Sequence, residues 1–202
     1  MRPGRNQGDV WHPDNASIVL IYTALVAFGI NVNDLIVDAG SGTGELLIKF
    51  WLLASLAGPR LLGYELCRLK CERSSDICSH LMQLMLMDPN PAVRHLIENC
   101  ELDRRPQFKV KNAARMRALP SGTTILTAFC VGWSPSDLLR LRKLCRRLTG
   151  LRYIIWIARG TTPLQSQLHP GPDQPHVVAQ HAVRMAGSGE QFQAYFIDVQ
   201  HV

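Results

Sequence analysis

The segment Asp38-Ala-Gly-Ser-Gly-Thr-Gly44 constrains this chain more than any other. It lies between Asp34-Leu-Ile-Val37, a short apolar run that reads as a buried strand, and Glu45–Leu56, which is apolar on most sides as a helix packed on a sheet would be. Glycines at 40, 42 and 44 allow a tight turn and a close approach of backbone to a ligand. The helix start after the turn offers unpaired N–H groups and the positive end of a dipole. The dinucleotide fingerprint G-x-G-x-x-G needs glycine at position 45, where this chain has Glu45, a poor neighbour for a pyrophosphate. No Gly-Lys-Ser/Thr comes after it, which excludes a P-loop. The turn is therefore suited to a ligand that does not present phosphate.

The rest of the chain repeats the strand–helix alternation. A helix over 15–28 capped by Asp14 or Asn15 precedes the first strand. A second strand, Leu61–Tyr64, ends at Glu65 and leads into a helix over 66–87, which Asp88-Pro-Asn-Pro91 breaks. A short helix over 92–100 leads to a third strand, Gln107–Lys111, and the fourth strand spans 124–131. Ser134-Pro-Ser-Asp137 has the chemistry of a helix start, with Ser134 as N-cap and Asp137 closing a capping box. That helix runs to Leu148, and a fifth strand spans 152–157. After a Pro/Gly/Gln-rich loop over 160–175, strands at 177–185 and 191–199 flank Ala186-Gly-Ser-Gly-Glu190, a hairpin turn. Alternation of this kind predicts an α/β fold: a doubly wound, mainly parallel seven-stranded sheet with a C-terminal antiparallel hairpin. At 202 residues the chain is expected to form one domain over 11–202 after a flexible segment, 1–10.

An acid, G-x-G-x-G and a second acid at the end of the next strand resemble the S-adenosylmethionine site of class I methyltransferases. The resemblance implies a Rossmann-like fold, methyltransferase activity and that cofactor. It places the amino-acid part of the cofactor in the loop formed by Asp38, Ala39, Gly40, Ser41, Gly42 and Gly44, and the ribose hydroxyls on Glu65. A carboxylate suits a ribose diol, two acceptors facing two donors. Trp11-His-Pro-Asp14, the helix after it and Leu62-Gly-Tyr-Glu65 are similar to a group of protein lysine methyltransferases, those of the telomeric-silencing-disruptor and ATP synthase c-subunit types. That comparison implies that Trp11 and Pro13 fold over the cofactor, that Asn112 or Ala113 lies beside the adenine, and that the target is a lysine side chain on a protein. The chain departs from amino-directed enzymes that carry Asp/Asn-Pro-Pro-aromatic after the fourth strand, since it has Thr127-Ala-Phe-Cys130 there. Phe129 and Trp133 are at the right strand end to line a target channel, with core packing the alternative for both. Trp11 is a further candidate for that lining. His12 with Asp14 reads as a possible acid–base pair, or as an ordinary surface histidine beside an acid.

Charge divides the chain. Residues 104–152 hold twelve basic residues and one acid, Asp137, whereas the remainder is net acidic. Such asymmetry points to an acidic or nucleic-acid partner, with Arg115, Arg117, Arg140, Lys143 and Arg147 as the candidate contacts; solvated helix faces are the competing reading. There are two alternatives to a protein methyltransferase: an RNA methyltransferase that uses the basic stretch to hold phosphates, and a methyltransferase-like fold that binds a partner without catalysis.

Cys67, Cys71 and Cys78 would share one helix face, within about 40° of each other. No CxxC pair or matching histidine completes a zinc site, so they read as small hydrophobes and no metal is expected. Free thiols without a visible secretory signal fit an intracellular setting, cytoplasmic or nuclear. The longest apolar run, Ala16–Ile30, is too short to span a membrane.

Overall fold

The computed structural model describes residues 12–98, 104–129, 133–159, 176–186 and 189–199. The expectations for Trp11, for the flexible segment 1–10 and for the 160–175 loop lie outside the described residues. The element order is α1 (Asn15–Ala27), β1 (Leu35–Ala39), α2 (Glu45–Leu53), β2 (Arg60–Glu65), α3 (Arg68–Leu86), α4 (Pro91–Glu98), β3 (Gln107–Val110), a 3-10 turn (Ala113–Arg115), β4 (Ile125–Phe129), α5 (Pro135–Cys145), β5 (Tyr153–Arg159), β6 (His176–Arg184) and β7 (Gln191–Asp198). They form one seven-stranded sheet in the order β3-β2-β1-β4-β5-β7-β6. The first five strands pair in parallel; β7 runs antiparallel to β5 and β6.

The period-2 alternation of side chains builds two cores from the same strands. Ile36, Ile125, Ile155, Ile157, Phe192 and Phe196 face α1 and α2, where they meet Ile18, Ile21, Leu25, Leu47, Phe50 and Trp51. Their neighbours Val37, Ala39, Leu126, Ala128, Trp156 and Ile197 face the opposite way, toward Leu141, Leu144 and Cys145 of α5 and Ala113 and Ala114 of the 3-10 turn. Helices therefore cover both faces, as the alternating pattern predicts. Position 38 lies in the register of Ile36, which directs the Asp38 carboxyl to the α1/α2 side.

Local chemistry fixes the helix ends. Asp14 caps α1 by accepting the Ser17 N–H at 2.8 Å, and that bond holds its carboxyl below the ordinary range. Ser134 caps α5, and its hydroxyl also reaches Asp137 Oδ2 at 2.8 Å, the box the sequence predicts. The expected helix to Leu56 stops at Leu53 instead. Ser55 and Leu56 turn left-handed, φ +49° and +66°, and this buries the Leu56 side chain in the α1/α2 core. Burial of a leucine offsets a conformation that branched chains rarely adopt. Arg152 Nη2 donates to both carboxylate oxygens of buried Asp34, at 3.0 and 2.9 Å, and so ties the start of β1 to the start of β5.

Cys71 and Cys78 are buried on one face of α3, whereas Cys67 stands before the helix as its half-buried N-cap, so the shared face holds for two of the three. Burial pushes the Cys78 thiol up to about 11 and the Cys145 thiol to about 12, which keeps both protonated. Among the described residues no cluster of three or more His, Cys, Asp or Glu side chains could hold a metal. No helix among them is long and apolar enough to cross a membrane.

Candidate ligand site at the carboxyl ends of β1 and β4

The order of the sheet reverses between β1 and β4, and the carboxyl ends of these strands open the crevice where such sheets bind ligands. The glycine loop fills the turn from β1 to α2. Gly40, Gly42 and Gly44 have φ of +88°, +57° and +76°. Gly44 is the most constrained: besides its left-handed backbone, a Cβ there would stand 2.5 Å from the Phe108 ring. Gly42 is the reverse, with open space where a Cβ would stand.

The loop is held from β2. The Tyr64 carbonyl accepts from the N–H groups of Gly40 and Ser41, at 2.8 and 2.9 Å. Glu65 clamps the far side of the loop: Oε2 accepts the Gly42 N–H at 3.0 Å and Oε1 accepts the Cys67 N–H at 2.9 Å. The second acid of the motif thus shapes the loop and joins it to the start of α3. A carboxylate has about four acceptor sites, and these bonds use two, so a diol can still be accepted. The sequence did not reveal Gly63, where a Cβ would meet the Ser41 Oγ at 2.6 Å and Phe108 at 2.7 Å. Only a glycine in β2 lets the loop lie against the strand.

Asp38 pairs in register with Thr127 of β4, whose hydroxyl donates to Asp38 Oδ1 at 2.8 Å. Burial pushes the Asp38 carboxyl up to about 7; the Thr127 bond opposes this and the charge of Glu65 adds to it. A small cavity of about 20 Å³ lies beside this pair, walled by His12, Pro13, Asp38, Gly40, Ser41, Leu46, Thr127, Ala128, Phe129 and Ile157. It holds about one water. The buried Ser41 hydroxyl in this wall has no hydrogen-bond partner.

Segment 12–14 reaches the cavity because the C-terminal hairpin holds it. Pro13 bridges Met185, the Asp14 N–H donates to the Arg184 carbonyl at 2.8 Å, and the Ala186 N–H donates to the His12 carbonyl at 3.0 Å. His12 and Asp14 do not form an acid–base pair. The Asp14 carboxylate caps α1, and His12 Nδ1 is 2.9 Å from the Pro13 carbonyl oxygen while the ring forms part of the cavity wall.

The structure thus brings Pro13, Asp38, Gly40, Ser41 and Phe129 to one cavity, with Ala39, Gly42, Gly44 and Glu65 in the adjoining strand end and loop. Of the two destinations open to Trp133, packing is the one observed: its indole lies against Gly40, where a Cβ would stand 3.3 Å from Cζ2, and not in the cavity wall. Asn112 Oδ1 takes the Ala114 N–H at 3.0 Å and caps the 3-10 turn, which buries Ala113, and the second lone pair of that oxygen is left for a ligand. The role of Thr127 and the placement of His12 in the cavity wall were not foreseen. Nothing local marks a threonine that becomes the partner of an aspartate 89 residues away, or a histidine positioned by a distant hairpin.

No family model matches the chain, and no curated protein matches it by sequence. Solved structures do resemble it. A putative RNA methyltransferase from Pyrococcus horikoshii superposes with a TM-score of 0.63 at 9% identity, covering 98% of this chain and 90% of that one. An rRNA methylase from Streptococcus thermophilus gives 0.57 at 12%, covering 91% and 97%. TrmN from Thermus thermophilus gives 0.58 at 12%, covering 89% of this chain, which spans only 48% of the length of TrmN. The strand order, the parallel core and the closing antiparallel hairpin are the class I methyltransferase fold.

The donor set fits the cofactor associated with that fold. S-adenosylmethionine carries a sulfonium and an ammonium; the loop offers two carboxylates, Asp38 and Glu65, an orphaned buried hydroxyl on Ser41 and an open face at Gly42. The cavity alone is too small for it. A ligand of that size must also use the open face above Gly42 and Glu65 or displace Trp133 from Gly40.

Proposed function

We propose that this chain is an S-adenosylmethionine-dependent methyltransferase. The observation that carries the reading is the left-handed glycine loop clamped between two acids, Asp38 and Glu65, at the switch point of the sheet. In this reading the loop 38–44 holds the amino-acid portion of the cofactor, Glu65 accepts from the ribose, and Ala113 and the amide of Asn112 border the adenine. When bound, the cofactor supplies a methyl group on a sulfonium, which an aligned nucleophile takes with loss of a proton. Pro13, Leu46, Phe129 and Ile157 form an apolar wall that excludes water there and favours a neutral nucleophile. His12 is the one imidazole in that wall, and its ring is the base there that would take the proton.

The target class is a separate matter. A lysine side chain is the target that the sequence resemblance implies, and nothing in the cavity favours it. Two of the three similar structures are named for RNA, and the basic stretch 104–152 of this chain is suited to hold phosphates. The single chain of residues 12–199 would then act as one catalytic unit, in a reducing compartment.

Calorimetry with S-adenosylmethionine tests the reading. The parent protein should bind, and Gly42→Arg, which places a long cation in the open face beside Glu65, should not. A folded parent that fails to bind would refute it and leave the non-catalytic alternative. Incubation with methyl-labelled cofactor and cell extract, then protease or nuclease digestion, identifies the polymer that is modified.

A further inference from the structure

We propose that a basic stripe running from the mouth of the crevice along α5 holds the phosphodiester backbone of a nucleic-acid strand and so delivers the substrate. The inference rests on the methyltransferase reading and names the substrate class of that site.

The stripe begins beside the glycine loop. Trp133 lies on Gly40, α5 starts two residues later, and in the first turn of α5 Asp137 Oδ1 lies 3.8 Å from Arg115 Nε of the 3-10 turn. Arg115 and Arg117 are exposed there, on the segment that leaves the carboxyl end of β3. From this point α5 leads away from the site. Arg140 and Lys143 are exposed on it, and Arg147 is exposed just beyond its end, where its N–H bonds the Leu144 carbonyl at 3.1 Å. At 100° per residue Arg140 and Lys143 lie about 60° apart, on the side away from buried Leu141 and Cys145, and Arg147 follows just past the helix end.

Two features distinguish the stripe from an ordinary solvated face. Among the described residues Arg140, Lys143 and Arg147 form no ion pair with a carboxylate, and the one acid of residues 104–152, Asp137, is engaged at the start of the stripe. Four of the five cations are arginine, whose planar fork suits phosphate oxygens better than the point charge of lysine. From Asp137 to Cys145 the helix rises about 12 Å, the length of three to four stacked nucleotides at roughly 3.4 Å each, and Arg147 lies just past its end. The stripe carries no aromatic platform, so the contact reads charge and direction rather than sequence. It would bring a strand along the flank to the crevice, where a protruding base or sugar can reach the cavity.

The test uses a fluorescent uridine oligonucleotide of about 12 nucleotides, its DNA counterpart and the duplex form, read by anisotropy. With five contacts the logarithm of affinity should fall against the logarithm of salt with a slope of about −3.5, a loss of about 100-fold between roughly 50 and 200 mM. The triple variant Arg140→Gln/Lys143→Gln/Arg147→Gln should flatten the slope to about −1.4 while its thermal unfolding is unchanged. Preference for RNA over DNA names the first as the source of the strand, and the reverse names the second. An unchanged slope in the triple variant overturns the proposal. So does displacement of the oligonucleotide by polyglutamate at equal charge, which would make the stripe a surface for acidic protein. Calorimetry with S-adenosylmethionine on the same proteins reads the underlying assignment separately: a parent that binds RNA but not the cofactor fails as a methyltransferase, not as a strand-binding surface.

Discussion

Asp38→Asn separates the electrostatic cost of the buried carboxylate from its use. Asp38 is buried, and this pushes its carboxyl up from 3.8 to about 7 against the opposing bond from Thr127, its one hydrogen-bond donor among the described residues. A difference of that size corresponds to about 4 kcal/mol between the two protonation states. A carboxyl raised in the folded state keeps its proton where the unfolded chain has lost it. Its contribution is therefore fully present below pH 3.8 and is lost as the pH rises through 7. Asparagine does not titrate, and its carbonyl oxygen can still accept from Thr127. Urea unfolding of both proteins at pH 5 and pH 8 reads the effect. The parent should lose about 2–3 kcal/mol more than the variant between these two conditions. The variant should also bind S-adenosylmethionine more weakly, because a cation near position 38 would no longer meet a carboxylate. Parallel pH profiles in parent and variant would refute the reasoning, since they would show that Asp38 is as well solvated folded as unfolded.

Three further substitutions examine the walls of the site. Trp133→Ala removes the indole from Gly40, so a ligand no longer has to break that contact; calorimetry should show tighter cofactor binding, and equal or weaker binding would make Trp133 part of the binding surface. Gly63→Ala forces a methyl group against Ser41 and Phe108 and should cost about 1–3 kcal/mol in urea unfolding; a neutral result would mean that the loop can lift from β2 freely. Ser17→Ala removes the hydroxyl that accepts the Arg184 N–H at 2.8 Å. The orphaned donor should cost about 1–3 kcal/mol, and hydrogen exchange should quicken at Asp14 and Arg184; unchanged exchange there would show that the 12–14 segment is held by other contacts.

The features visible in the sequence were those that depend on near neighbours. Strand and helix alternation was legible because β1, β4 and β5 are short, nearly continuous apolar runs and α1 is a longer apolar run behind a capping acid, and these patterns need only adjacent positions. The glycine loop and the capping box at Ser134 are likewise complete within a few residues. The second acid was legible because Glu65 closes a strand, but its engagement with the Gly42 N–H was not, since that bond spans 23 residues. The same distance barrier hid the Asp38–Thr127 bond, the Arg152–Asp34 pair and the anchoring of His12 and Pro13 by the hairpin. Trp133 stayed open for another reason. An aromatic after the fourth strand has two apolar destinations, the cavity or the back of the glycine loop, and sequence cannot choose between them. Leu56 shows the limit from the other side: an apolar run predicts burial correctly and the helix end wrongly, because a left-handed turn buries the same side chain.

These long-range contacts explain why the closing hairpin matters to a site built from β1, β2 and β4. Neither β6 nor β7 supplies a residue to the cavity wall. Yet Arg184, Met185 and Ala186 hold the backbone of residues 12–14, which contribute His12 and Pro13 to that wall. Asp14 then serves two partners at once, donating its N–H to Arg184 and capping α1 with its carboxylate. The hairpin, the segment and α1 are thereby joined mechanically. A displacement at the end of β6 changes the wall opposite Phe129 before it changes any residue of the glycine loop, so substitutions in the hairpin should alter the acceptance of the methyl-receiving group more than the binding of the cofactor.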